Sequence, residues 1–339
     1  MELSNLDLVN LDCVLLFNVA HQLIFERGLP YVKNLLRRLI GGVDVVFVEL
    51  ATQADYVPHG KDHLLPTDPA EVLSECANCD IELLKQGKRP LYALRRRTVT
   101  IAAERVHITS VRFSETERSD INRKYYFSAD QFAKITRFDF EQKEAFCAAE
   151  ATSLLRIQDQ AIGPRILGWN HDASATYIVM ERIYGPSLRE AFPIFTSDSA
   201  RKHVVGEVLR IAAGLHQAGF YQNDLTPHNL VLTSTNPIQL RLVDFEHSKP
   251  HPTYDHFGFL LWTLNDLYKG TDHSYRVQAQ AKLQLAGRAA RVSRDNYPDL
   301  SHLKADATLK DFISAAETAQ DWGTFATEWA RRFTASISP

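Results

Sequence analysis

Three residues with oxygen-bearing side chains, Asp224, Asn229 and Asp244, stand at spacings that suit phosphoryl transfer from Mg-ATP. They belong to Tyr221-Gln222-Asn223-Asp224-Leu225-Thr226-Pro227-His228-Asn229-Leu230 and to Leu242-Val243-Asp244-Phe245-Glu246. A nucleotide triphosphate needs its charge neutralised by a hard cation, which prefers oxygen ligands, while a further carboxylate orients the attacking hydroxyl. In that scheme Asp224 handles the proton of the acceptor hydroxyl, Asn229 gives a side-chain oxygen to Mg²⁺, and Asp244 bridges Mg²⁺ to the β- and γ-phosphates. Turn capping explains Asp or Asn at any one of these positions. The three together favour the chemistry.

The elements that must hold them are legible nearby. Leu230-Val231-Leu232 and Leu240-Arg241-Leu242-Val243 are short apolar runs of strand type, with the turn residues Ser234-Thr235-Asn236-Pro237 between them. Asn229 and Asp244 are therefore predicted on opposite arms of one hairpin.

The pattern D-L-x-P-x-N at 224–229, followed by D-F-E at 244–246, resembles the protein-kinase-like superfamily in its small-molecule and atypical branches. Gln222 and Asn223 occupy the His and Arg positions of the H-R-D loop of regulated protein kinases. The arginine that receives an activation-loop phosphate is thus missing, and control of that kind is not expected. Glu246 replaces the usual glycine after Asp-Phe, similar to choline and ethanolamine kinases. The resemblance implies a strand lysine paired with a helix glutamate, an ion pair that positions the lysine against the phosphates. Lys134 stands near the end of the β-rich run Tyr126–Ile135, and residues 140–157 have helix-type apolar spacing. Glu150 is the chosen partner, with Glu144 and Glu141 on the same segment as alternatives. The resemblance also makes Tyr177–Gly185 the hinge between lobes, where backbone groups of Glu181 and Ile183 recognise the adenine edge and Met180 guards the pocket. An ordinary core strand is the plain alternative there. Ser187 reads as a helix cap, Val204–Leu215 as the apolar stripe of a helix leading into the catalytic loop, and Asp255 as a brace for that loop.

One expected feature is absent from the sequence. No glycine occurs from Lys88 to Ile162, so a phosphate-cradling turn has to come from the polar, acidic stretch 114–122, using N–H groups such as those of Ser119 or Asn122. A degenerate kinase that acts as a scaffold is the competing reading of this feature.

Upstream, residues 8–18 read as a strand, Leu29–Ile40 as an amphipathic helix and Val43–Leu50 as a buried strand, an α/β pattern. This stretch resembles the carboxyl half of a class I S-adenosylmethionine-dependent methyltransferase, with Asn18-Val19-Ala20-His21 in the region after its fourth strand. With the kinase part it is similar to the bifunctional methyltransferase-kinases that terminate bacterial O-antigen chains. In that family the kinase phosphorylates the terminal sugar of a lipid-linked glycan and the other domain methylates the phosphate. The glycine-rich methyl-donor turn is not found before Leu8, so residues 1–95 are read as a truncated or degenerate methyltransferase segment.

The expected fold is α+β: a bilobal protein-kinase-like fold preceded by a partial, Rossmann-like α/β segment. Its divisions are residues 1–95, then 96–184 as N-lobe and hinge, then 185–339 as helical C-lobe. ATP and Mg²⁺ are the expected cofactors, and a small-molecule or glycan hydroxyl the expected acceptor, with a protein hydroxyl second.

Composition sets bounds on partners. The 339 residues are 45% apolar, enough for real cores, and a net charge of −3 provides no broad basic field for nucleic acid. Arg95-Arg96-Arg97 and Arg331-Arg332 are the candidate contacts for anionic lipid or glycan phosphate, with solvated surface the simpler reading. No apolar run approaches membrane-spanning length and no signal peptide is visible, so a cytoplasmic location is expected, extending at most to peripheral contact with the inner membrane. Of four cysteines, Cys76 and Cys79 form a lone C-x-x-C, read as reduced thiols rather than a zinc site.

Overall fold

The computed structural model describes residues 11–55, 60–73, 76, 78–113, 121–138, 143–172, 175–253, 255–270 and 297–337. The chain divides into two compact units, residues 1–111 with 126–129, and residues 112–125 with 130–339. Each is described in turn.

In the first unit, β1 (Cys13–Leu16) leads into α1 (Ala20–Arg27), α2 (Leu29–Gly42) and β2 (Val45–Glu49). After α3 (Ala70–Leu73) come β3 (Cys79–Lys85), β4 (Leu91–Arg96), and the hairpin of β5 (Thr98–Ile101) and β6 (Glu104–His107). β1 and β2 pair in parallel, β4 pairs antiparallel with β2 and with β3, and the sheet order is β1-β2-β4-β3. The predicted helix and second strand appear as α2 and β2. α2 presents Val32, Leu35, Leu36, Leu39 and Ile40 at helical spacing to a core shared with Leu16, Val46, Val48 and Leu94. The predicted first strand is seen from Cys13, and its residues before 11 lie outside the described ones.

The sequence places the first division at residue 95. The compact units divide between Val111 and Arg112, because the β5–β6 hairpin is tied back to what precedes it: the Arg97 N–H donates to the Asn78 carbonyl at 3.0 Å, and the Thr98 hydroxyl to the Asn78 side chain at 2.9 Å. Arg96 is also spent inside this unit, on Asp44 at 2.8 Å, while Arg95 pairs with Glu82 at 3.4 Å and Arg97 with Asp80 at 2.7 Å. The arginine run is therefore a set of ion pairs rather than an open basic patch. Cys76 and Cys79 are buried free thiols, the Cys79 thiol donating to the Cys76 carbonyl at 3.2 Å.

The second unit has the expected α+β order. β7 (Ser110–Phe113), β8 (Ile121–Phe127), β9 (Gln131–Phe138), β10 (Ile166–His171) and β11 (Ala175–Glu181) form a five-stranded sheet of order β10-β11-β9-β8-β7, and α4 (Lys143–Ile157) follows β9. β9, central in this sheet, buries Ala133, Lys134, Ile135 and Thr136 in succession, the pattern of a strand covered on both faces. Beyond the sheet come α5 (Leu188–Ala191), α6 (Asp198–Gln217), β12 (Tyr221–Gln222), β13 (Leu230–Thr235), β14 (Ile238–Leu242), β15 (Ser248–Lys249), α7 (His256–Lys269), α8 (Ala307–Thr318) and α9 (Trp322–Ile337). The Ser187 side chain accepts from the Glu190 N–H while Glu190 reaches back to the Ser187 N–H at 2.8 Å, a capping box that starts α5. α6 buries Val204, Val205, Val208, Leu209, Ile211, Ala212 and Leu215, the predicted stripe. Phe312, Phe325, Trp329 and Phe333 of α8 and α9 pack edge-on and tilted on one another in the same core. No helix among the described residues is long and apolar enough to cross a membrane.

Candidate functional site

Lys134 is fixed by strand geometry: it sits mid-β9, paired across to Ile178 of β11, with its side chain only 6% exposed. Burying an ammonium costs several kcal/mol unless it is paired. Three carboxylates supply the pairing. The Lys134 Nζ lies 3.0 Å from Glu150, 2.9 Å from Glu246 and 3.4 Å from Asp244. Burial by itself lowers the lysine pKa, but Glu150, Asp244 and Glu246 together hold it well above the ordinary lysine value, so the group is an ammonium at neutral pH. Glu150 comes from α4, where it shares the inward face with Ala151, Leu154 and Ile157. Its burial pushes the carboxyl pKa up against the pull of Lys134. Glu150 is thus the helix carboxylate that meets Lys134. Glu141 lies outside the described residues, and so does the Glu144 side chain.

Asp244 and Glu246 follow β14. The β13–β14 hairpin pairs Leu230 with Leu242, and the Val243 N–H donates to the Asn229 carbonyl at 2.7 Å, bringing the backbone of the predicted metal ligands side by side. Asp244 adopts φ +64°, a left-handed conformation that Asp tolerates better than most residues. Phe245 anchors the turn from below. It is fully buried, and a Cβ on Gly163 would stand 2.7 Å from its ring, so only glycine lets the α4–β10 connection pass. Asp244 is the most accessible carboxylate of the cluster, its side chain 36% exposed against 4% for Glu150 and 7% for Glu246. Desolvation raises its pKa, but Lys134, His247 and Arg123 outweigh that and hold the carboxyl below the usual aspartate value. One oxygen each of Glu150, Asp244 and Glu246 lie within 4.8 Å of one another.

Asp224 and Asn229 meet across the loop that joins β12 to β13. The Asn229 Nδ2 donates to the Asp224 carboxylate at 3.1 Å and to its carbonyl at 2.9 Å, so the amide nitrogen is occupied. This orientation leaves the Asn229 oxygen as the side-chain atom for a cation.

Two neighbours gain roles that their sequence positions do not announce. Gln222 bridges the halves of the site: its Nε2 donates to the Asp244 carbonyl at 2.7 Å, and its Oε1 accepts from the Asp224 N–H. Asn223 stitches down the segment after Asp244-Phe245-Glu246, donating to the His247 carbonyl at 3.2 Å and accepting from the Thr253 N–H at 2.6 Å. Asp255 accepts from the Gly258 N–H at 2.9 Å, capping α7, and from the Tyr297 hydroxyl at 3.1 Å.

At the predicted hinge, Met180 is buried and the Glu181 N–H donates to the Arg165 carbonyl at 2.8 Å. The Arg182 N–H is likewise taken, by the Asp130 carbonyl at 2.9 Å, whereas the Ile183 N–H has no backbone partner among the described residues. Arg241 of β14 grips the Glu181 carboxylate with both Nη atoms, at 2.8 and 3.0 Å, and holds that carboxyl below its ordinary pKa. Gly185, at φ +140°, closes the hinge: a Cβ there would sit 2.0 Å from the Leu232 carbonyl oxygen. A polar cleft of about 610 Å³ behind the hinge is lined by Glu181, Glu207, Arg210 and Arg241 but by neither Lys134 nor Asp244, so it is separate from the lysine–carboxylate cluster. The acidic stretch predicted to cover the phosphates lies outside the described residues except for Ile121 and Asn122 at the start of β8.

No family model matches the chain. Two O-antigen chain terminator bifunctional methyltransferase/kinases, WbdD of Escherichia coli, are each 23% identical to it, over 257 and 255 residues that make up 69% of this chain. The chain is homologous to WbdD. The matched part spans 35% of the length of those relatives. A probable serine/threonine-protein kinase BUD32 homolog of Archaeoglobus fulgidus is 40% identical over 74 residues, 22% of this chain and 32% of that protein. Among solved structures, WbdD with the kinase inhibitor LY294002 aligns with a TM-score of 0.47 at 20% identity, covering 98% of this chain and 70% of that one. Monomeric WbdD aligns with a TM-score of 0.44 at 19% identity, covering 96% and 73%. The homologues are thus kinase-like, and one family of them couples the kinase to a methyltransferase.

Proposed function

We propose that the chain is an ATP- and Mg²⁺-dependent phosphotransferase that moves the γ-phosphate to a hydroxyl acceptor. The observation that carries this reading is the meeting of Lys134 with Glu150 from α4 and Asp244 from the loop after β14, at 3.0 and 3.4 Å. A buried lysine shared between a helix glutamate and the aspartate of the metal loop is what a triphosphate clamp requires.

The donor set fits a hard divalent cation: an ionised, accessible Asp244, a free Asn229 oxygen, and further carboxylate oxygens within 4.8 Å of Asp244. Asn229 and Asp244 would hold Mg²⁺, which when bound neutralises phosphate charge. Lys134, kept in place by Glu150, binds phosphate oxygens. The Asp224 carboxylate orients the acceptor hydroxyl and takes its proton, while the Asn229 amide nitrogen holds that carboxylate still. Adenine docks on the Glu181 carbonyl and the Ile183 N–H beside Met180.

The acceptor class favoured is a carbohydrate or lipid-linked glycan, in line with the O-antigen chain terminator relatives. A protein hydroxyl is the second reading, favoured by the 74-residue match to the BUD32 homolog. Residues 1–95 are assigned to a methyltransferase-like segment. Transfer of labelled γ-phosphate to glycans, small alcohols and proteins tests the proposal. Asp224→Ala is expected to abolish transfer while ATP affinity stays within about twofold, since that group acts on the acceptor. A large loss of ATP affinity in this variant would refute the assignment of Asp224.

A further inference from the structure

The lysine–carboxylate cluster contains a second cation. Arg123, the third residue of β8, has a side chain only 15% exposed, and its Nη2 donates to the Glu246 Oε1 at 2.7 Å. The other oxygen of the same carboxylate accepts from Lys134 at 2.9 Å. Glu246 therefore sets the two cations side by side, one on each oxygen. Its position after Asp-Phe, where a glycine would have no side chain, is what makes this bridge available.

Arg123 is underused where it stands. A guanidinium carries five N–H donors in a planar fork that matches phosphate oxygens. Its hydrogen bond to Glu246 engages one of them, and its Nε is buried without a partner among the described residues. Lys134, by contrast, is shared among three carboxylates. The charges do not balance either: Glu150, Asp244 and Glu246 outnumber Lys134 and Arg123 by one, a deficit that a bound divalent cation would turn into a surplus facing an anion. Arg123 also lies just after the stretch that should cover the phosphates, and that stretch has no glycine from which to build a backbone cradle.

We propose that Arg123 is a nucleotide-phosphate ligand, held by Glu246 beside Lys134, and that its guanidinium supplies the charge and donors that a glycine-rich loop supplies through its backbone. This inference rests on the phosphotransferase reading of the site.

Calorimetric titration with Mg-ATP, Mg-ADP and adenosine separates its parts. For Arg123→Gln, ATP affinity is expected to fall roughly tenfold to a hundredfold, as for loss of a charged hydrogen bond. Adenosine affinity should be unchanged, because the hinge is untouched. Arg123→Lys, which keeps the charge beside Glu246 but loses the fork, should be intermediate, and it serves if the glutamine variant does not fold. Equal ATP affinity in wild type and both variants would overturn the role of Arg123 alone. Equal losses for ATP and adenosine would make Arg123 a structural residue. Failure of the folded wild-type protein to bind any of the three would overturn the phosphotransferase reading itself, and this inference with it.

Discussion

Both units bury charge, and they do so differently. In the first, Arg96 faces Asp44 and Arg89 faces Asp55, one cation to one anion, with Tyr126 and Asn18 adding hydrogen bonds at 2.8 Å. In the second, two cations face three carboxylates, and the most exposed of the three is Asp244, in the loop after β14. A matched pair carries no net charge for a ligand to neutralise. An unmatched cluster is poised to take up a further charge, and the cost of keeping it is met by the packing around it. Buried charge is thus a guide to function only when it is counted.

The contrast can be broken in descending order of effect. Lys134→Met should lower transfer by about a hundredfold to a thousandfold, the scale of losing one preorganised charge in a site, while adenosine binding survives. Steady-state transfer beside adenosine calorimetry checks it, and loss of both would recast Lys134 as a residue of the fold. Arg96→Ala should do the opposite. It strands Asp44 in a nearly buried position and is expected to cost about 3 kcal/mol of stability in urea unfolding, with kcat/KM per folded molecule unchanged. A kinetic defect there would erase the distinction between the units.

A smaller effect concerns His256, buried at the start of α7 and stacked on Trp322 with ring centroids 5.3 Å apart. Burial lowers its pKa from 6.5 to about 3. Between those values the unfolded chain binds the proton and the folded one does not, so stability is full above pH 6.5 and falls on acidification by about 1.4 kcal/mol per pH unit at most. His256→Phe keeps the stack and should flatten that slope; an unchanged slope would assign it to other groups. Smallest of all, Arg97→Ala removes an exposed pair with Asp80 and should shift the unfolding free energy by less than about 0.5 kcal/mol. A larger change would show that the β5–β6 hairpin depends on that pair.

That Asp224, Asn229 and Asp244 come together was legible in sequence because they fall in a short stretch bounded by strand and turn signals. Lys134 and Glu150 were reached through the resemblance, which calls for a strand lysine and a helix glutamate; periodicity supplied the strand and the helix but did not separate Glu150 from Glu144 and Glu141. The second cation was not legible: Arg123 and its partner lie 123 positions apart, and nothing in the pattern of β8 distinguishes an inward arginine from a solvated one. Arg241, which holds Glu181 across 60 positions, was hidden for the same reason. Gln222 and Asn223 stood out in sequence only as departures from H-R-D. Their replacement bonds depend on the path of residues 247–253, which local propensity does not fix. In the first unit the helix and strand were readable from periodicity, whereas the division at Val111 follows from hydrogen bonds of the β5–β6 hairpin back to Asn78.

The bridge made by Gln222 ties two loops about twenty residues apart into one rigid spacer between the Asp224 backbone and the Asp244 backbone. A carboxamide has no proton to gain across the physiological range, while an imidazole in that place would titrate near neutrality. The spacing between the proposed proton acceptor and the proposed cation ligand is therefore set by a part that ignores acidity, and pH sensitivity of turnover is expected from other groups than this spacer.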